Sequence, residues 1–293
     1  MSQSEPVAPD RAHELPDGRA LAWCEYGSAD GAPVLYFHGI PGSRIDGRFV
    51  SEVVAAEGVR LIAMDRPGFG MSSSETGRRS YEGWARDTES LADALNLDRF
   101  AIAAYSSGGP YALAAGIYLS GRVTRLAIVS GVAPSEMPHY RKGVCPTDRS
   151  MSTLALRAPW LGRLLMGRAI KQAREHPERF GKGADRDFSA PADQELLDGG
   201  VRSLLPQVFL EAGRGGPAGM VEDFAVWARP SGVALERVAV PLHLWHGEDD
   251  RTIPVDHSRW IASQVPSAEL TVWPGVGHLH TPARWSEVYA ALR

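Results

Sequence analysis

Cysteine is scarce in this 293-residue chain, which holds only Cys24 and Cys145. Two isolated thiols build no disulfide framework and have no metal-ligand spacing, so reduced thiols in a cytoplasmic protein without a metal site are expected. No apolar run approaches the ~20 residues needed to span a bilayer, which argues against a membrane partner. Concentrated charge of one sign is missing as well. With a net charge of -4 and Arg78-Arg79 the only adjacent pair of arginines, the chain has no basic face for phosphates, which excludes a nucleic-acid partner. The segment from Met1 to Asp10 is polar, lacks a basic n-region and an apolar h-region, and reads as a tail rather than a signal peptide. Internal repeats and low-complexity tracts are absent too.

What is present is a chain that is 44% apolar and 23% charged, which supplies a substantial core. Its length suits a single α/β domain carrying an insertion. Asp17-Gly18 separates two short stretches of mixed polarity and predicts a hairpin turn. The runs Pro33 to Phe37, Val59 to Met64, Phe100 to Ala104 and Leu126 to Val129 are continuously apolar, as strands buried on both faces must be. Helical patterns lie between them, at Arg48 to Glu57, Tyr81 to Leu95 and Gly109 to Leu119. Alternation of this kind argues for a parallel sheet covered by helices on both faces. The pattern breaks at Gly131 and resumes at Val240 to Trp245, then finishes with Leu270 to Trp273 and a helix from about Arg284. The intervening stretch is helix-like and rich in proline. It reads as a mostly helical cap over residues 134–232, dividing the core into 1–133 and 233–293.

Ser106 lies one residue beyond the strand Phe100 to Ala104 and precedes a helical segment. A strand that turns sharply into a helix needs small residues two positions either side of its tip, and Ala104 and Gly108 occupy those positions. Such a turn projects the serine hydroxyl away from the sheet and aims the next amide, that of Ser107, at whatever binds there. A helix cap alone would not explain small residues on both sides, so the segment reads as the nucleophile elbow of a serine hydrolase. A serine hydroxyl needs a general base oriented by an acid. In an elbow-type enzyme these follow in the order acid, then histidine. Asp250 lies after the strand that resumes at Val240, and His278 after the last strand, both at carboxyl ends where a site in a parallel sheet must lie. His280 is the alternative base, and Asp249, Glu248 and Glu136 are alternative carboxylates. Two backbone donors complete the chemistry, expected from Ser107 and from Ile40 in the loop His38 to Gly42. His38 is expected to brace that loop, Asp65-Arg66 to brace its neighbours, and His243 and His246 to be core histidines. Gly68-Phe69-Gly70 lacks the third glycine of a dinucleotide fingerprint.

The chain resembles the α/β-hydrolase superfamily over nearly its full length. The resemblance rests on His38-Gly39-Ile40-Pro41-Gly42, Asp65-Arg66-Pro67-Gly68-Phe69-Gly70-Met71-Ser72, the elbow, Gly247-Glu248-Asp249-Asp250 with Pro254, and Gly275-Val276-Gly277-His278, in that order and at strand ends. It implies a mainly parallel eight-stranded sheet flanked by helices, a helical cap after the sixth strand, and no cofactor. It also selects Asp250 over Asp249, since the family's acid stands four residues before the proline. Serine at the elbow argues against the haloalkane dehalogenase and epoxide hydrolase branches, which place an aspartate there. The expected reaction is cleavage of an ester, lactone or thioester of a small, largely apolar molecule, with Met137, Trp160, Leu164, Phe209 and Phe224 as substrate contacts. Leu161, Leu165, Met166 and Trp227 are further lining candidates. The His38 to Gly42 loop is similar to that of proline iminopeptidases, which have glycine where Ile40 stands. That alternative needs cap carboxylates for a substrate ammonium, for which Glu136, Glu195, Glu211, Glu222 and Asp223 are candidates, though they read more readily as a solvated face. Hydrolysis of a carbon–carbon bond and a weakly catalytic small-molecule receptor remain further alternatives. Monomer and homodimer are both open.

Overall fold

The computed structural model describes residues 10–75 and 77–293. The segment before Asp10, expected as a tail, lies outside the described residues. Strand β1 (Arg11–Glu14) and strand β2 (Ala20–Gly27) form an antiparallel hairpin. Its turn closes at Asp17-Gly18, where glycine supplies a φ of 81° that a side chain would oppose. The apolar runs then become β3 (Ala32–Phe37), β4 (Val59–Met64), β5 (Phe100–Tyr105), β6 (Val123–Val129), β7 (Leu242–Gly247) and β8 (Ala268–Trp273). Between and after them lie helices α1 (Ser51–Ala56), α2 (Tyr81–Ala94), α3 (Gly109–Tyr118), α10 (Asp256–Gln264) and α11 (Pro282–Ala290). The sequence pattern did not single out α10. β7 starts later than the apolar run because Pro241 has no N–H to give; its carbonyl instead accepts from Leu126 at 2.9 Å.

The eight strands lie in the order β1-β2-β4-β3-β5-β6-β7-β8, with only the β1·β2 and β2·β4 pairs antiparallel. After β4 the chain crosses β3 to reach β5, so the order reverses between β3 and β5. In an open parallel sheet the loops diverge at such a reversal, and the carboxyl ends of the strands there are where a site is expected. Apolar side chains fill both faces of the sheet. Leu35, Phe37, Trp84, Tyr111 and Leu244 pack on one face, and Val34, Tyr36, Val54, Trp245 and Tyr289 on the other.

The segment between β6 and β7 carries helices α4 (Pro146–Arg157), α5 (Pro159–Glu175), α6 (Pro177–Gly183), α7 (Pro191–Leu196), α8 (Arg202–Ala212) and α9 (Ala218–Ala228). A third apolar cluster joins them to the core. It combines Met151, Met166, Phe209 and Phe224 of these helices with Phe69, Val132 and Ile253 from loops at the strand ends. Three carboxylates of the helical layer also reach core groups. Glu211 meets Arg44 at 2.6 Å, Asp223 meets Arg66 at 2.8 Å, and Asp193 accepts from the backbone of the loop after β8. Cys24 and Cys145 are both buried and no disulfide joins them. Among the described residues no helix is long and apolar enough to cross a membrane.

Candidate active site

Ser106 stands at the tip of the turn from β5 into α3 with a φ of 52°. A left-handed conformation costs a side-chain-bearing residue about 1–2 kcal/mol, so the surroundings must enforce it. They do so by close approach. Ala104 is fully buried, in register with Phe37 on one side and Ile128 on the other. A Cβ on Gly108 would lie 2.3 Å from the Phe37 carbonyl oxygen, so only glycine lets the helix start this close to β3. The Ser106 carbonyl accepts from the Val132 amide at 3.1 Å, which ties the turn to the end of β6.

The structure brings Ser106, His278 and Asp250 together from three separate strand ends. The Ser106 Oγ lies 3.2 Å from His278 Nε2, and His278 Nδ1 lies 2.7 Å from Asp250 Oδ2. A carboxylate can only accept, so Nδ1 carries the proton and Nε2 presents its lone pair to the serine. All four polar demands on Asp250 are met. Oδ1 accepts from the Thr252 and Ile253 amides at 2.9 and 2.8 Å, and Oδ2 faces both His278 and, at 3.2 Å, His246 Nε2. The His246 Nε2 proton is shared with the Ile253 carbonyl at 2.8 Å, while Nδ1 accepts from the Ser258 hydroxyl. Burial alone would raise the Asp250 carboxyl, but His278 and His246 outweigh it and hold the group below the usual carboxylate range. For His278, burial lowers the imidazole while the Asp250 charge raises it, and the net effect is upward from 6.5. The three side chains are nearly sealed: Ser106 and Asp250 are 6% exposed and His278 is 3%.

The loop expected to supply backbone donors lies against the serine. A Cβ on Gly39 would meet the Ser106 Cβ at 3.1 Å, and Ile40 follows at once, packed against the third apolar cluster. Arg66 braces this loop from a fully buried position. Its guanidinium donates to the carbonyls of His38 and Gly39 and, at 3.2 Å, to the Ser107 hydroxyl. His38 donates from Nδ1 to the Gly39 carbonyl at 2.8 Å and accepts the Arg66 amide on Nε2 at 3.1 Å. Burial, with Arg66 beside it, holds this ring well below 6.5, which keeps it neutral and suited to accepting. The Arg66 charge is balanced from the helical layer by Asp223, which also takes Arg79 at 3.1 Å and the Tyr111 hydroxyl at 2.6 Å.

Several expectations are corrected. Asp223 is not on a solvated face, since it is 2% exposed and committed to two arginines. Glu211 is likewise engaged with Arg44. Trp160 and Leu164, expected against substrate, are 68% and 43% exposed and turn to solvent. Phe209 and Phe224 are buried in the cluster above the strand ends, and Met137 is half-buried against the core. Glu136 accepts from the Ser231 amide at 2.7 Å and from the Ser231 hydroxyl, closing a loop rather than meeting an imidazole. His280 lies 3.0 Å from the Ser130 hydroxyl, and burial, reinforced by His278, lowers it to about 3. His246, read as a core histidine, is buried but touches Asp250. Sequence reasoning missed Asp193, whose oxygens accept from the amides of His278 and Leu279. It also missed Tyr105, which donates to the His278 carbonyl at 2.8 Å, and Phe188, whose ring stacks on His278 at 6.1 Å. Only the place of Tyr105 beside the elbow offered any signal.

A match to the alpha/beta hydrolase family model covers residues 34–292, and the chain belongs to that family. The dihydrolipoyllysine-residue acetyltransferase component of the acetoin cleaving system of Pseudomonas putida is 27% identical over 299 residues. The match covers 94% of this chain but 66% of that protein, just under two thirds of its length. Non-heme chloroperoxidase CPO-A1 of Kitasatospora aureofaciens is 25% identical over 277 residues, covering 89% of this chain and 90% of that protein. Among solved structures, the esterase EaEST from Exiguobacterium antarcticum superposes with a TM-score of 0.72 at 18% identity, covering 96% of this chain and 97% of that one. At that identity the likeness concerns the fold.

Proposed function

We propose that this family member is a serine hydrolase that cleaves an ester-type bond of a small, largely apolar molecule through an acyl-enzyme. The observation that carries the reading is the continuous line from Ser106 Oγ through His278 to Asp250, at 3.2 and 2.7 Å, beneath an apolar layer. In the first half-reaction His278 Nε2 removes the Ser106 proton as Oγ bonds to the substrate carbonyl carbon. The electron pair displaced onto the carbonyl oxygen is held by the amides of Ile40 and Ser107. Collapse of this intermediate breaks the bond to the leaving group, which takes the proton from Nε2. Water then repeats the sequence on the acyl-enzyme, releasing the acid and restoring Ser106. The imidazolium formed on the way is stabilised by Asp250, which stays ionised. No cofactor takes part in these steps. The apolar surroundings, with Ile40, Phe69, Val132 and Phe224 above the strand ends, favour an uncharged ester, lactone or thioester. Neutralisation of Asp223 by Arg66 and Arg79 disfavours it as an anchor for a substrate ammonium.

The test is peptide mapping after exposure to a fluorophosphonate, with turnover of a p-nitrophenyl ester measured in parallel. The expected result is a phosphonyl adduct on Ser106 that Ser106→Ala and His278→Ala both abolish, with saturable ester turnover lost in the same variants. A folded Ser106→Ala protein that still hydrolyses the ester would overturn the assignment.

A further inference from the structure

We propose that Asp193, carried on α7 of the cap, is a positioning residue for His278, so that the helical layer itself holds the catalytic base in place. The inference rests on the hydrolase reading above and concerns the same site. The base stands on the irregular loop between β8 and α11, where no strand partner fixes the backbone. Asp193 supplies what the sheet does not. Its Oδ2 accepts from the His278 amide at 3.0 Å and its Oδ1 from the Leu279 amide at 2.8 Å, one carboxylate gripping two consecutive N–H groups. The loop is shaped around it, because a Cβ on Gly277 would fall 2.3 Å from Oδ1.

Asp193 has no solvent exposure, and among the described residues no lysine or arginine pairs with it. Burying a carboxylate without a cation is costly, and two amide donors offset only part of that cost. Burial accordingly raises the Asp193 carboxyl, with the two amides and His278 opposing. A carboxylate held at such a cost, with both oxygens on consecutive amides of the loop that carries the base, is placed for that loop. His278 is thus fixed at three points: its ring by Asp250, its backbone carbonyl by the Tyr105 hydroxyl, and its backbone amide by Asp193. Asp193 also contributes negative charge near the ring. The other groups that face it are Asp250 from the loop after β7, Asp148 from α4, and the neutral His280 of its own loop.

The experiment compares the full chain with Asp193→Ala and Asp193→Asn, alongside Ser106→Ala. Ester kinetics as a function of pH, the fluorophosphonate labelling rate and thermal melting are all recorded. Misplacing the base by a fraction of an ångström to about 1 Å should lower kcat by roughly ten- to a hundredfold. KM should stay within about threefold and the labelling rate of Ser106 should fall in step. Asn keeps one acceptor and should lie between Ala and the parent. Removing the charge makes His278 harder to protonate, so the acid limb of kcat/KM should move to lower pH in both variants. Damage that is merely structural lowers activity without moving that limb. If Asp193→Ala does not fold, the isosteric Asp193→Asn carries the test. Unchanged kcat, labelling rate and acid limb in a folded variant, with Ser106→Ala inactive, would overturn the positioning role alone. An active Ser106→Ala would overturn the hydrolase reading instead.

Discussion

Asp250→Asn is the substitution whose effect the geometry determines most tightly. One oxygen of Asp250 accepts two backbone amides and the other faces two imidazoles. An asparagine must turn its NH2 toward one of these pairs. The amides of Thr252 and Ile253 cannot change their protonation, whereas an imidazole can, so the NH2 should face His278. Nδ1 then becomes an acceptor, the proton moves to Nε2, and the lone pair that should receive the Ser106 proton is gone. The charge is lost as well. At ~4 Å and an effective dielectric of ~20, a carboxylate stabilises an imidazolium by about 4 kcal/mol. At about 1.36 kcal/mol per decade this is roughly a thousandfold, and the tautomer reversal brings the expected loss in kcat to about 10³–10⁴-fold. The pH dependence follows with a definite sign. In the proposed mechanism His278 must be neutral to act as a base, and its shift is upward, so the parent should lose activity as pH falls through a value above 6.5. Without Asp250 that limb should move to lower pH. Stopped-flow ester hydrolysis across pH 5–9 on folded protein reads both effects. An Asp250→Asn variant within tenfold of the parent, with an unmoved acid limb, would refute the reasoning.

Two further outcomes test the corrections made by the structure. Asp223→Asn removes the main counter-charge between Arg66 and Arg79, and breaking a buried pair from one side typically costs about 3–5 kcal/mol. Urea unfolding should show that loss, and a change below about 1 kcal/mol would mean the arginines find other partners. Trp160→Ala should alter stability by no more than about 0.5 kcal/mol and leave KM for an apolar ester unchanged, because Trp160 is 68% exposed. A KM increase above about fivefold would return that side chain to the substrate.

What the sequence determined by itself was whatever depends on neighbours along the chain. Ala104, Ser106 and Gly108 specify the elbow because its backbone admits only small flanking residues, and that constraint is legible in five consecutive positions. Continuous apolar runs specify strands buried on both faces, and the loops that follow such strands are where Asp250 and His278 had to be sought. Tertiary structure alone decided which distant groups meet. Asp193 lies 85 residues before His278, and no periodicity announces that its carboxylate will grip that loop. Arg66 and Asp223 are 157 residues apart, and their pairing turned an acid that reads as surface into a buried anchor. Trp160 and Phe224 both carry large apolar side chains on helices between β6 and β7, yet packing buries one and leaves the other in solvent. A helical pattern says which face is apolar but not what covers it, since that depends on contacts between elements that the linear order does not encode.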